Sequence, residues 1–160
     1  MAWIEANHER TLEVDAPLDE VAEFFSDPSQ IRHCMGDLDV GEEIDEQTWR
    51  WNMKEVGARN ITFKGVHQVR YERDGDQVRW KSEGEGNMRT EGVARFSALG
   101  DTSTRVEYEE TMASDLPIPR LAAKVFRPIV AREVRRGIDE YLDNAVEYLN
   151  AGRHREDGES

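Results

Sequence analysis

Apolar residues near the end of the chain recur at spacings of three and four, from Ile118 through Leu121, Val125, Phe126, Ile129, Val130, Val134, Ile138, Tyr141, Leu142 and Ala145 to Leu149. That period draws one apolar stripe along a helix of about 50 Å, and such a stripe must lie against a large apolar surface. The chain ahead of it can supply one. From Leu38 to Met112 the period drops to two, broken by regular turn signals, which reads as a meander of six strands. Pro128 lacks an amide donor and crowds the carbonyl of Lys124. The helix is therefore expected to kink there, with a lead-in over Pro119–Arg127 and a main part over Pro128–Asn150.

Before the meander, Trp3 to Val14 alternates as a strand, with Ile4, Ala6, His8, Arg10, Leu12 and Val14 on one side. Asp15-Ala16-Pro17 opens a short helix with Val21, Ala22, Phe24 and Phe25 on its apolar face, and Asp27-Pro28-Ser29-Gln30 opens a second that ends near Gly36. Within the meander, Trp49, Trp51 and Met53 share a parity, as do Ile61, Phe63, Val69 and Tyr71, and Asp74-Gly75 marks a tight hairpin. The order is that of an α+β domain: a seven-stranded curved antiparallel sheet, two short helices after the first strand, and a long C-terminal helix. Such a sheet twists and curls, and one helix covers only part of its concave face. A hollow suited to a small apolar ligand is the expected consequence.

At 160 residues the chain is long enough for one core, so residues 1–151 are expected to form a single ligand-binding domain. Residues 152–160, GRHREDGES, hold no large apolar side chain and read as a disordered tail. The lone Cys34 has no partner for an internal disulfide. With 34 acidic against 21 basic side chains the formal charge is -13, which opposes general binding to nucleic acid. The N-terminus lacks a basic region followed by an apolar run, and no stretch approaches the ~20 apolar residues of a membrane span, so a cytoplasmic protein without stable membrane insertion is expected. One local exception stands out. Arg120, Lys124, Arg127, Arg132, Arg135 and Arg136 crowd the first half of the long helix, opposite to the preference of its dipole. Either they pair with the acidic first third of the chain, or they dock an acidic protein or a lipid head group.

Several short segments carry a resemblance. Val14-Asp15-Ala16-Pro17, Phe24-Phe25-Ser26-Asp27-Pro28, Trp80-Lys81-Ser82, Gly92-Val93-Ala94-Arg95-Phe96 and Thr104-Arg105-Val106, in this element order, resemble the START-like or Bet v 1-like (SRPBCC) superfamily, and within it the polyketide cyclase/dehydrase-like branch. The resemblance spans about Glu5 to Leu149. It implies a helix-grip fold with an internal pocket for lipids, polyketides or other hydrophobic molecules, in a group that includes enzymes, carriers and regulators.

The inward parity brings polar groups with it: His8, Arg10, Glu42, Glu55, His67 and Glu110. An ionised side chain buried without a partner costs several kcal/mol, so these groups must pair, reach solvent or border a wet pocket. The resemblance makes the first and last strands neighbours, which offers His8 or Arg10 as a partner for Glu110. His67 is the candidate general base, and Glu110 and Arg10 are candidates to polarise a carbonyl. Trp49, Trp51, Met53, Phe63, Trp80, Phe96, Tyr108 and Ile138 are the expected ligand-binding walls. Gly65 and Gly92 remove side chains from the inward face, which favours open space. The chain has no Gly-x-Ser-x-Gly elbow, phosphate loop, His-Glu-x-x-His pair or calcium loop, so neither a metal nor a cofactor is expected. Three functions are compatible: carriage or sensing of a hydrophobic small molecule, a polyketide cyclase or dehydratase, and an accessory interaction module with a vestigial cavity. These residues leave catalyst and carrier both open.

Overall fold

The computed structural model describes residues 2–157. Its strands are β1 (Ala2–Val14), β2 (Leu38–Glu43), β3 (Thr48–Met53), β4 (Val56–Ala58), β5 (Ile61–Phe63), β6 (Val66–Asp74), β7 (Gln77–Glu83), β8 (Met88–Gly100) and β9 (Ser103–Leu116). Seven of them form one antiparallel sheet in the order β1-β9-β8-β7-β6-β3-β2, and β4 and β5 make a separate hairpin that stands off it. Two short helices, α1 (Leu18–Ser26) and α2 (Pro28–Ile31), follow β1. The long helix α3 (Ala123–Asn150) and a final turn of helix, α4 (Arg153–Asp157), close the chain. This is the α+β helix-grip architecture.

Alternation along β1 holds over its whole length, with Ile4, Leu12 and Val14 buried and Glu5, Asn7, Glu9 and Glu13 exposed. It fails in β2. A bulge between Leu38 and Val40 shifts the register by one, and a one-residue slip moves later side chains to the other face. Glu42, expected inside, is therefore exposed and bonded to Asn52. Glu55 lies beyond the end of β3 and is also exposed. The run expected to be continuous from Ile61 to Tyr71 is two strands, divided at Lys64-Gly65. Arg59 and Asn60 both take positive φ, at 51° and 66°, the geometry of a tight hairpin turn, and fold β5 back on β4. The hairpin signalled by Asp74-Gly75 turns one residue later, at Gly75-Asp76, with Gly75 at φ 62°.

Three expectations for the C-terminal region change. No division occurs at Pro128: one helix runs from Ala123 to Asn150 with the proline inside. Pro128 sits in the second turn and is exposed, so the one backbone bond lost is that to Lys124, near the solvated helix end. Nor does order stop at residue 152. Arg153–Asp157 is helical, with His154 6% exposed and bonded to Glu20 at 2.9 Å, while residues 158–160 lie outside the described part. Finally, of the six cations in the first half of the long helix, Arg136 reaches the acidic first third, through Asp37 at 2.9 Å; among the described residues the other five form no ion pair.

Helix α3 does not bisect the sheet; it lies chiefly along the edge strand β1. His8 meets Asp139 at 2.8 Å, and Arg10 reaches the Asp139 carbonyl and the Asp143 carboxylate. The second, acidic half of α3 is thereby tied to β1. Helix α1 fills one end of the concave face, where Phe25 packs against Phe24, Phe96, Tyr108 and Tyr141. The other end is left to the β4–β5 hairpin and the start of α3. The concave face beneath them stays unfilled.

Candidate functional site

A cavity of about 570 Å³ lies in that space. Its floor is aromatic: Phe25, Trp51, Tyr71, Trp80, Tyr108 and Tyr141. Met35, Met53, Met88 and Met112 soften the walls, and thioethers of this kind adapt to irregular apolar shapes. The start of α3 contributes Phe126, Ile129 and Val130, and the hairpin contributes Val56, Ile61 and Phe63. Charged lining residues mark the mouth: Asp37, Lys54, Arg132, Glu133 and Arg136. There Arg136 holds Asp37, Glu133 and Glu140 at 2.9, 3.2 and 3.0 Å.

The polar interior centres on Glu110. Pairing across the sheet sets Tyr71 opposite Trp80, Trp80 opposite Gly92, and Gly92 opposite Glu110. The Trp80 Nε1–H donates to Glu110 Oε2 at 3.0 Å, and the Thr90 hydroxyl donates to the same oxygen. The Tyr108 hydroxyl donates to Oε1 at 2.8 Å. Removal from bulk water raises the Glu110 pKa above the usual carboxylate range, and the three donors offset this only in part. Part of the side chain faces the cavity.

His67 also lines the cavity and is 4% exposed. Its Nδ1 lies 3.4 Å from the Ser82 hydroxyl, whose oxygen accepts the Thr90 amide at 2.8 Å. A polar chain thus runs from His67 through Ser82 and Thr90 to Glu110. Burial lowers the His67 pKa to about 4, so the imidazole is neutral at physiological pH and a weak base.

Arg10 does not join them. It is absent from the cavity lining and engages Asp139 and Asp143, and His8, although opposite Glu110 in register, bonds to Asp139. The expected pairing of either residue with Glu110 is not formed, because the acidic second half of α3 reaches them first. Of the expected walls, Trp51, Met53, Phe63, Trp80, Tyr108 and Ile138 line the cavity. Trp49 and Phe96 do not: Trp49 stacks on Trp51 beneath the Arg32 guanidinium, and Phe96 packs on Phe25 in the filled end. The glycines are not open space either. A Cβ at Gly92 would stand 2.3 Å from the Trp80 ring, and one at Gly65 would meet the Met88 side chain. Each glycine makes room for a neighbour that lines the cavity.

Met35, Met88, Thr90 and Ser114 are lining residues missed in the sequence. Met88 and Thr90 share the parity of Gly92, and Ser114 that of Glu110 and Met112, so strand alternation alone could have placed them. Among the described residues no group of three or more His, Cys, Asp or Glu side chains is placed to hold a metal ion. No helix among them is long and apolar enough to cross a membrane.

Known proteins share this fold. A protein of known structure from Thermus thermophilus is 20% identical, aligned over 92% of this chain and 98% of its own, with a TM-score of 0.66. The Zhui aromatase/cyclase from Streptomyces sp. R1128 is 14% identical over 91% and 93%, with a TM-score of 0.68. A START superfamily protein from Mycobacterium smegmatis is 18% identical over 89% and 98%, with a TM-score of 0.62. No curated protein matches the sequence. Residues 5–149 match the family described as polyketide cyclase / dehydrase and lipid transport. With that match over nearly its whole length, the chain belongs to the polyketide cyclase/dehydrase and lipid transport family, and it shares its helix-grip fold with the START superfamily protein.

Proposed function

We propose that the protein binds one hydrophobic small molecule, a lipid, polyketide or aromatic compound, in the cavity between sheet and α3, and acts as its carrier or sensor. The observation that carries this reading is the cavity itself: about 570 Å³, with aromatic and methionine walls and a short polar row at Glu110. That volume is in the range of small-molecule sites, and its few convergent polar groups can orient a guest that has one hydroxyl or carbonyl. Such an unfilled space also weighs against a vestigial cavity. Native mass spectrometry of the protein purified from its own host tests the reading. A co-purifying hydrophobic compound at one per chain is expected; protein that is always bare, and that takes up no aromatic or acyl compound when offered an excess, contradicts it.

A polyketide cyclase or dehydratase is the second reading, favoured by Glu110. A carboxyl group of weakened acidity, set among donors inside an apolar cavity, suits proton transfer at an enolisable carbonyl. Glu110 would take the proton, and neutral His67 would serve as a hydrogen-bonding partner. The test is a linear poly-β-ketone surrogate with wild type and Glu110→Gln. Turnover lost in the variant with binding retained supports chemistry; equal conversion by both, or none by either, leaves the carrier reading.

A further inference from the structure

One end of the molecule departs from the acidic character of the rest. Five cations, Arg120, Lys124, Arg127, Arg132 and Arg135, cluster exposed on the start of α3 or just before it, and none of them forms an ion pair among the described residues. Between them Leu121 is 95% exposed and Val125, one turn on, is 52% exposed. Neither is needed for the local core. The inward side of the same helix already buries Phe126 against Ala2, Ile4, Leu116 and Ile118. At the same end, Trp3 is 40% exposed, with the Arg89 guanidinium 4.0 Å above its ring. A single exposed leucine is ordinary. Two aliphatic side chains projecting from a helix among unpaired cations are the pattern of an interfacial helix.

We propose that this end of the protein docks on an anionic lipid bilayer, with Leu121 and Val125 entering the boundary between head groups and acyl chains and the five cations set against lipid phosphates. The overall charge of -13 does not oppose this at contact. At physiological ionic strength, charges separated by more than about 8 Å are largely screened, so the net charge of the whole chain is felt only weakly at a local contact. Short-range attraction is therefore set by the cationic patch itself. A bilayer is favoured over an acidic protein by the shape of the patch. Leu121 projects outward, and a fluid apolar phase accepts a projecting side chain without a matching pocket. The location gives the contact a use. Ile129, Val130 and Arg132, on the next turns of α3, line the cavity, so its mouth would face the membrane and a guest could pass without crossing water. The docking itself rests on the surface and stands whatever the cavity holds.

Co-sedimentation of the full chain with vesicles tests the proposal. Wild type is expected to sediment with vesicles of equal parts phosphatidylcholine and phosphatidylglycerol, to be released by added sodium chloride, and to stay in solution with phosphatidylcholine alone. The double variant Arg120→Glu/Lys124→Glu should weaken binding at least about tenfold, since each lost cation near an anionic surface matters and each reversal counts twice. Leu121→Ser/Val125→Ser should weaken it as well, by a salt-independent factor. All four positions are exposed, so each variant should keep the wild-type thermal transition. No sedimentation of wild type with the anionic vesicles, equal sedimentation with phosphatidylcholine, or unchanged binding in the charge-reversal variant would overturn the proposal. Binding of wild type to soluble polyglutamate without binding to either vesicle would also overturn it and assign the patch to an acidic protein.

Discussion

Trp80 reaches Glu110 by lying across Gly92. The three residues stand in one row over β7, β8 and β9, and the indole nitrogen spans the middle strand to donate at 3.0 Å. A side chain on the middle strand would block that path, because a Cβ at Gly92 would sit 2.3 Å from the ring. Gly92→Ala is thus expected to push the indole off Glu110 and to destabilise the protein by about 1–3 kcal/mol, as overpacking does elsewhere. Denaturant unfolding with tryptophan fluorescence reads both effects, and a variant with wild-type stability and an unshifted emission spectrum would show that Trp80 is not pinned.

Glu110 has three donors to satisfy, and a glutamine can still satisfy them. The amide oxygen can accept from Trp80 and Thr90, while the amide nitrogen donates to the Tyr108 hydroxyl, which is able to accept as well as donate. Glu110→Leu instead strands all three donors, at about 1–3 kcal/mol for each one left without a partner or water. Glu110→Gln should therefore unfold close to wild type and Glu110→Leu well below it. Equal midpoints for the two variants would mean that the hydrogen bonds to Glu110 carry no net stability.

His67 makes stability depend on pH in a defined direction. Its pKa falls from 6.5 to about 4 on folding, so between those values the unfolded chain binds the proton and the folded one does not. Its contribution is complete above about pH 6.5 and is lost as the pH falls toward 4. The shift corresponds to up to about 3 kcal/mol. His67→Gln should flatten the difference in unfolding free energy between pH 7 and pH 4 by an amount of this order, and identical pH profiles for the two proteins would contradict a buried neutral imidazole.

Cys34 should be chemically silent in the native protein. It is 1% exposed, and burial raises its thiol pKa to about 12, with a smaller contribution from Asp157, so almost no thiolate exists at neutral pH. Iodoacetamide at pH 8 is expected to label the chain only after unfolding. Stoichiometric native labelling would mean that the packing of the turn at Arg32–Cys34 on α3 opens readily.

Much of this is legible in the chain itself, and the failures have physical causes. The stripe from Phe126 to Leu149 and the alternation of β1 announce α3 and the first strand, because burial on one face imposes a period that no turn interrupts. The bulge after Leu38 leaves no mark in composition, so the period alone puts Glu42 on the wrong face. At the site, parity places His67 and Glu110 inward but cannot choose among partners: Arg10 and His8 are captured by Asp139 and Asp143, more than a hundred residues away in sequence. Nor can it distinguish a wall from a packed core. Trp51 lines the cavity while Trp49 and Phe96 do not, and the difference comes from where α1, Arg32 and the β4–β5 hairpin cover the sheet.

Titration with the neutral fluorophore N-phenyl-1-naphthylamine, alongside a variant that fills the cavity, bears most directly on whether the space between sheet and α3 receives a guest. Val134→Trp places a large ring where Val134 now lines the cavity. Wild type should show saturable enhancement at one site per chain, with the Val134→Trp protein folded and its affinity reduced at least about tenfold, the scale expected when one well-filled apolar contact is replaced by a clash. A wild-type protein that never saturates, or a folded Val134→Trp protein that binds the probe equally well, would show that the cavity is not the binding site.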